Sequence, residues 1–402
     1  MRIAYISYEH PFGIDGGGIG TYIGIISEVM SEKNHCVEVF SGSRDAVAQI
    51  RNINNYKLHL IPTKSKNSFK DDVLEYFSKI HDHKPFDIIE TAEYSADGLN
   101  IKKKFMDLPM VVRLHTPSYI VKSLNDNNNS LKQRLRFIIG ALLRFRKVTL
   151  FWKYIKENDE EFEIFNLADS ISSPSTKLIE RIQKEWSTTR NIELIPNPFI
   201  IRKKLSQIKF NEEYITIAFI GKLEKRKGIL DLVDSIPRIL QYNPKIKFLF
   251  VGSPSLSPIN GMDMETYIKK KLIKNKNSIE FLGFVNHEKI MSILERSRIC
   301  IFPSIWENFP YTCLEAMAAK KAVIGTYSGG MAEIIDHNVN GFLIPPHSPR
   351  SIVKTILYLA KNPHLIDQIG ERAHDKILYA YNKHLIGDMT ENLYTRTLRN
   401  FG

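Results

Sequence analysis

The sequence predicts an α/β protein of two similar-sized domains, each a parallel sheet with helices on both faces. Three observations carry that expectation. Short apolar runs of strand length alternate with longer amphipathic stretches, which is the pattern of βα units. The alternation begins afresh near residue 200, beyond a connector, "IPNPFIIRKKLSQIKFNEEY", that has two prolines and a polar tail. The 402 residues are also more than one hydrophobic core usually organises.

In chain order, "RIAYISY" reads as the first strand. A glycine loop follows, then a helix from about Ile19 to Lys33. The strands "CVEVFSG", "LHLIPT", "FDIIETAE", "MVVRLHT", "SISSPS" and "IELIPNP" complete the first half. The second half repeats the style with "ITIAFIG", "IKFLFVG", "IEFLGFV", "ICIFPS", "AVIGTY" and "GFLIP". Helical patterns such as "ILDLVDSIPRILQ" and "HEKIMSILERS" join them, and the chain is helical almost throughout from Pro349. The expected division is residues 1–200, residues 201–384, and a final helix, 385–402, that packs back on the first domain. Two such domains are expected to face each other across a cleft at the carboxyl ends of their strands, where ligands of these sheets bind.

A hydrophobic fraction of 43% and a charged fraction of 25% are those of a soluble globular chain. Cys36, Cys300 and Cys313 lie in or beside apolar runs without paired spacing, so they read as reduced thiols. "MRIAYISYEH" turns polar too soon for a signal peptide, and no apolar run reaches the roughly 20 residues of a membrane span. A cytoplasmic location is expected. The net charge of +12 is local: residues 100–156 hold thirteen Lys/Arg against Asp107 and Asp126.

Three motifs carry chemistry. "FIGKLEKRKGILDLV" follows a strand and opens a helix, with Lys222 and Lys227 five apart between Gly221 and Gly228. Backbone N–H groups and the helix dipole favour an anion there, and two ammonium groups suit a diphosphate. By itself the loop reads equally well as a solvated basic turn. "GIDGGGIGTY" is a second anion-friendly loop, after the first strand. It departs from the dinucleotide fingerprint, because the glycine after Gly18 and Gly20 falls at Gly24 and the second strand ends without an acid. A tight turn with no ligand is the alternative. The third motif is "CIFPSIWENFPYTCLEAMAAK", read as strand, loop and helix, with Asn308 as N-cap and Pro310 as the first helical residue. Glu307 in the loop can accept hydrogen bonds from ligand hydroxyls. Glu315, eight residues on, can reach a vicinal diol such as a ribose.

Together "GKLEKRKG", the Glu307/Glu315 pair and "SGGMAEIIDHNVNGFLI" resemble the retaining glycosyltransferases of family 4, which have the GT-B fold of two Rossmann-like domains. The resemblance is densest over residues 215–345 and extends to "GGGIG", "RLHTP" and "ADSISSPS". It implies an N-terminal acceptor-binding domain and a C-terminal domain that binds a nucleotide-diphosphate sugar, with no cofactor besides that donor. Lys222 and Lys227 match the basic pair that grips the diphosphate; the first is commonly Arg, whose bidentate fork Lys lacks. Glu307 matches the glutamate on the donor sugar, and Glu315 the one on the ribose. Asn308, Phe309 and Pro310 match the loop whose amides face sugar and phosphate. Phe284 and Val285 match the segment beside the base. Gly17 and Gly18 would approach the phosphates from the first domain, and His115 matches a histidine near the transferred sugar. Read alone, His115 is a strand-end histidine satisfied by backbone. Glu333 reads as a support for its loop, and Met331 stands where the family often has Pro.

The sequence has no DxD-type metal motif in a suitable loop and no carboxylate placed as a nucleophile in the first domain. Leaving-group charge would then fall to Lys222, Lys227 and helix N-termini. The resemblance implies front-face attack with retention of configuration. The basic stretch within residues 130–156, interleaved with Phe, Leu and Trp152, has the composition of a surface helix on anionic lipid. Such a helix would make the protein peripheral on the inner face of the plasma membrane. An ordinary helix with a solvated basic face is the alternative. Nucleic acid is not expected as a partner, since no stacking module is present. An epimerase or other non-transferase of the same fold remains the second functional reading.

Overall fold

The computed structural model describes residues 1–14, 17–126, 135, 139–140, 143, 154–201, 215–259, 261–285 and 287–401, apart from the side chains of residues 126, 287 and 288. The chain divides into two compact units, residues 1–198 with 383–402, and residues 199–382. Most of the basic stretch 130–156, and the connector from residue 202 to 214, lie outside the described residues.

The first unit holds eight strands: β1 (Arg2–Ile6), β2 (Cys36–Ser43), β3 (Gln49–Ile53), β4 (Tyr56–Pro62), β5 (Ile88–Ala92), β6 (Met110–Arg113), β7 (Ser170–Ser173) and β8 (Glu193–Leu194). Their order is β3-β4-β2-β1-β5-β6-β7-β8. All pairings are parallel except β3 with β4. That antiparallel edge adds a strand, not expected from the sequence, to the expected parallel sheet. The residues of β3 are exposed or half-buried, so "QIRNI" lacks the apolar run that marks a strand covered on both faces. By contrast, every residue of β1 and β5 is buried. The helix Gly18–Glu32 turns Tyr22, Ile23, Ile26, Val29 and Met30 inward, one face at helical spacing.

The helix Lys383–Phe401 belongs to this unit. Tyr394 donates to Glu90 Oε2 at 2.7 Å, Tyr22 donates to Oε1 at 2.8 Å, and the Tyr5 and Tyr394 hydroxyls lie 3.0 Å apart. Lys33 pairs with Asp388 and Glu391 of the same helix at 2.5 and 2.7 Å.

The second unit has six parallel strands: β9 (Thr216–Ile220), β10 (Lys247–Val251), β11 (Ile279–Gly283), β12 (Ile299–Ile301), β13 (Ala322–Thr326) and β14 (Phe342–Ile344). They are ordered β11-β10-β9-β12-β13-β14. The chain builds leftward from β9, then returns to β12 on its other side. The carboxyl ends of β9 and β12 therefore flank a topological switch point, the position where such sheets take ligands. The helix Ile229–Tyr242 packs Ile229, Leu232, Val233, Ile236 and Ile239 onto this sheet's core. Among the described residues no helix is long and apolar enough to cross a membrane.

In the first unit the switch lies between β1 and β5, and three buried carboxylates fix the loops there. Asp97 Oδ2 accepts the Tyr8 N–H at 2.7 Å. Glu93 Oε2 accepts the His115 N–H at 2.7 Å. Glu161 accepts the Ser95 and Ser118 N–H groups at 2.9 and 2.6 Å. Burial, reinforced by the charge of Glu161, pushes the Glu93 carboxyl from 4.5 up to about 8. Burial takes Asp97 to about 7. The folded state thus binds protons that the unfolded chain has released, and stability falls as pH rises from about 4.5 through 8. Glu93→Gln should lose less stability than wild type between pH 5 and 8 in urea denaturation, whereas parallel stability curves would contradict this account.

Candidate functional site

A charged constellation of the second unit lies in the loops that leave β9 and β12. Lys225–Lys227 form a 3₁₀ turn, and Gly228 at φ +70° starts the following helix. A Cβ on Gly228 would lie 1.8 Å from the Pro303 carbonyl, so only glycine lets this loop touch the backbone leaving β12. Ile305 N–H donates to the Arg226 carbonyl at 2.9 Å, which joins the two loops a second time.

Glu307 sits where they meet. Its Oε2 is bonded by the Lys227 ammonium and accepts from Ser304 Oγ at 3.2 Å. Its Oε1 lies 3.6 Å from Arg226 Nη1. Burial raises its pKa, but the charges of Lys227 and Arg226 overcome that and hold the carboxyl below its usual value. Glu307 is therefore an ionised, half-enclosed acceptor at neutral pH. Its carbonyl takes the Gly330 N–H at 2.9 Å. At Gly329, φ is +71° and a Cβ would come within 2.0 Å of that carbonyl. The "SGG" turn after β13 thus clamps the Glu307 backbone.

The helix with Glu315 begins one residue later than the sequence reading placed it. Pro310, extended at ψ 120°, is the N-cap, and Tyr311 is the first helical residue. Proline forces Phe309 out of helical geometry, and the Pro310 carbonyl accepts the first helical N–H, from Cys313 at 3.1 Å. Asn308, expected as the N-cap, is instead buried two residues before it. Phe309 is buried edge-on against Tyr381 at 5.3 Å, so that loop can offer a ligand its backbone rather than the phenyl ring. Glu315 is buried on the fifth helical position.

The remaining expected residues are placed differently. Lys222 is exposed, unlike the half-buried Lys227. Phe284 is exposed and Val285 half-buried after β11. In the first unit, Gly17 is the N-cap of its helix without a side-chain cap, and its N–H reaches Glu9 Oε2 at 3.2 Å. Gly18 opens that helix. His115 is buried, with its ring edge-on to Tyr22 at 5.3 Å. Burial and the Arg113 charge hold its pKa well down, so the ring is neutral. Met331 and Glu333 lie on the short helix Met331–Ile334, and the Glu333 carbonyl accepts from Lys376 and Tyr381, each at 3.1 Å. Sequence reasoning missed Arg226, Glu9 and Glu93. Only Arg226 had a local signal, as the middle cation of "KRK".

A family model of glycosyl transferases group 1 matches residues 201–376, and one of glycosyltransferase family 4 matches residues 16–201. An uncharacterized glycosyltransferase of Methanocaldococcus jannaschii is 24% identical over the whole of both chains. The N-acetyl-alpha-D-glucosaminyl L-malate synthase of Bacillus anthracis is 25% identical over 58% of this chain and 61% of its own. Among solved structures, sucrose-phosphate synthase from Thermosynechococcus elongatus superposes with a TM-score of 0.76 over 99% of each chain at 19% identity. HepE of Anabaena in complex with UDP and glucose superposes at 0.69, over 98% of this chain and all of its own, at 15% identity. These matches and the two-sheet architecture settle the class: the chain belongs to glycosyltransferase family 4, has the GT-B fold, and is a transferase of glycosyl groups (EC 2.4).

Proposed function

We propose that this glycosyltransferase moves a sugar from a nucleotide-diphosphate sugar to a glycan or lipid-linked acceptor, with retention of configuration and without a divalent metal. The observation that carries the reading is the Lys227–Glu307 pair at the switch point between β9 and β12. It sets an ammonium for a diphosphate beside an ionised acceptor for sugar hydroxyls. Lys222 and Lys227, with the helix N-termini after Gly228 and Pro310, offset the charge that grows on the leaving diphosphate. Glu307 and the backbone amides of Asn308, Phe309 and Pro310 orient the sugar. Glu315 takes the ribose, and the base lies along Phe284 and Val285. Gly17 and Gly18 supply backbone N–H groups to the phosphates.

His115, neutral and therefore able to accept or donate one hydrogen bond, contacts the transferred sugar. The acceptor hydroxyl attacks the anomeric carbon on the face the diphosphate leaves, and the departing phosphate oxygen takes its proton. HepE of Anabaena, whose crystals held UDP and glucose, supports this class of donor. The basic and aromatic composition of residues 130–156 supports an acceptor presented at an anionic membrane surface.

Thermal shift with UDP-, GDP- and dTDP-sugars identifies the donor, since a ligand bound by the native state raises Tm. Lys227→Ala should then weaken the matching free nucleoside diphosphate by about 10–100-fold in calorimetry, the loss of one charge-assisted contact of about 1.5–3 kcal/mol. Unchanged affinity would return the loop to a solvated turn. Transfer should persist in EDTA with an α-to-α or β-to-β outcome by NMR, and metal-restored activity or inversion would refute the mechanism. Liposomes containing acidic lipid should sediment the protein at low salt and release it as salt rises. Equal recovery with neutral liposomes would leave the acceptor in solution.

A further inference from the structure

Lys227 has two tasks in this reading, and they conflict. Its ammonium is held by Glu307 Oε2. To take a diphosphate it must turn from that carboxylate, whose side chain is only 14% exposed. A buried carboxylate deprived of its cation is costly and takes up a proton instead. A protonated Glu307 would present a donor where sugar hydroxyls need an acceptor.

Arg226 is placed to resolve the conflict. Its Nη1 lies 3.6 Å from Glu307 Oε1, the oxygen that Lys227 does not use. Its Nη2 donates to Glu224 Oε1 at 2.8 Å. The guanidinium and the Glu224 carboxylate are nearly as enclosed as Glu307, at 14% and 13% exposed. The Arg226 carbonyl accepts the Ile305 N–H, so the backbone that carries the guanidinium is fixed to the loop that carries Glu307. Glu224 thereby aims a cation that does not deprotonate at the far oxygen of Glu307.

We propose that Arg226 is a positioning residue of the transfer reaction: it keeps Glu307 ionised and in place while Lys227 exchanges Glu307 for the donor's diphosphate. The proposal rests on the donor-site reading of Lys227 and Glu307 given above. Arg226 itself touches neither sugar nor phosphate in this scheme. It acts through Glu307, and Glu224 acts through Arg226.

The test is the titration of Glu307 followed by carbon-13 NMR of protein labelled at the glutamate carboxyls, the signal being assigned by its loss in Glu307→Gln. Wild type, Arg226→Gln and Arg226→Lys are compared, each with and without inorganic pyrophosphate as the probe of the diphosphate site. Without pyrophosphate, Arg226→Gln should raise the Glu307 midpoint by about one pH unit, the effect of losing an adjacent guanidinium, and Arg226→Lys should restore most of it. With pyrophosphate the wild-type midpoint should hold, whereas that of Arg226→Gln should rise further and carry the acidic limb of the transfer rate with it. Equal midpoints in wild type and Arg226→Gln overturn the proposal, as does a wild-type midpoint that pyrophosphate moves as far as the variant's. If pyrophosphate binds neither protein, the diphosphate reading fails and the exchange with it, while the titration without probe still decides whether Arg226 holds Glu307 ionised. Should the Arg226 variants not fold, Glu224→Gln, which releases the guanidinium's second anchor, must shift the midpoint in the same direction.

Discussion

A carboxylate held in a largely enclosed loop must have cations beside it, and the loops at the switch point of the second unit are arranged around that requirement. Glu307 is ionised because Lys227 and Arg226 face its two oxygens. Those cations come from the loop after β9, whereas Glu307 comes from the loop after β12. The two loops can meet only because their strands are neighbours in the sheet although far apart in sequence. Gly228 lets the loops touch, and Gly329 brings the next turn onto the Glu307 carbonyl. An acceptor, an ammonium and two helix N-termini thus gather at one switch point.

The first unit meets the same topological opportunity with a different device. Its switch-point loops are tied by carboxylates that accept backbone N–H groups: Asp97 from Tyr8, Glu93 from His115, Glu161 from Ser95 and Ser118. Such bonds order the loops through their backbone, and Lys66 lies beside them, 3.4 Å from Glu9 Oε1 and lowering the Asp97 pKa against its burial. Burial raises the Glu93 carboxyl to about 8 and the Asp97 carboxyl to about 7. At its switch point the first unit therefore relies on carboxylates that accept backbone N–H groups, whereas the second sets a carboxylate directly against two cations.

The fold was legible because parallel strands covered on both faces are written as unbroken apolar runs. "RIAYI", "KFLFV" and "AVIGT" announce themselves, and the loops between them fall where glycines and prolines stand. The edge strand "QIRNI" was not legible, since its exposed residues follow no burial pattern. Glu307 and Lys227 were visible as motif residues, but their direct pairing was not. Sequence reports that they are eighty positions apart, not that β9 and β12 bring them together. Arg226 was passed over because three adjacent cations look alike until geometry shows which of them faces the carboxylate. Glu93 depends on a backbone N–H twenty-two residues away, a relation that no local pattern encodes.

The central claim is that Lys227 and Glu307 serve the same bound donor, Lys227 at its diphosphate and Glu307 at its sugar. A double-mutant cycle on the transfer rate, with Lys227→Met, Glu307→Gln and the combined variant, measures that directly. Because Lys227 leaves Glu307 for the diphosphate while Arg226 holds Glu307 in place, each single variant should slow transfer and the two losses should multiply in the double variant. A double variant little slower than the worse single variant would show that the pair acts only through its mutual contact and would contradict the account.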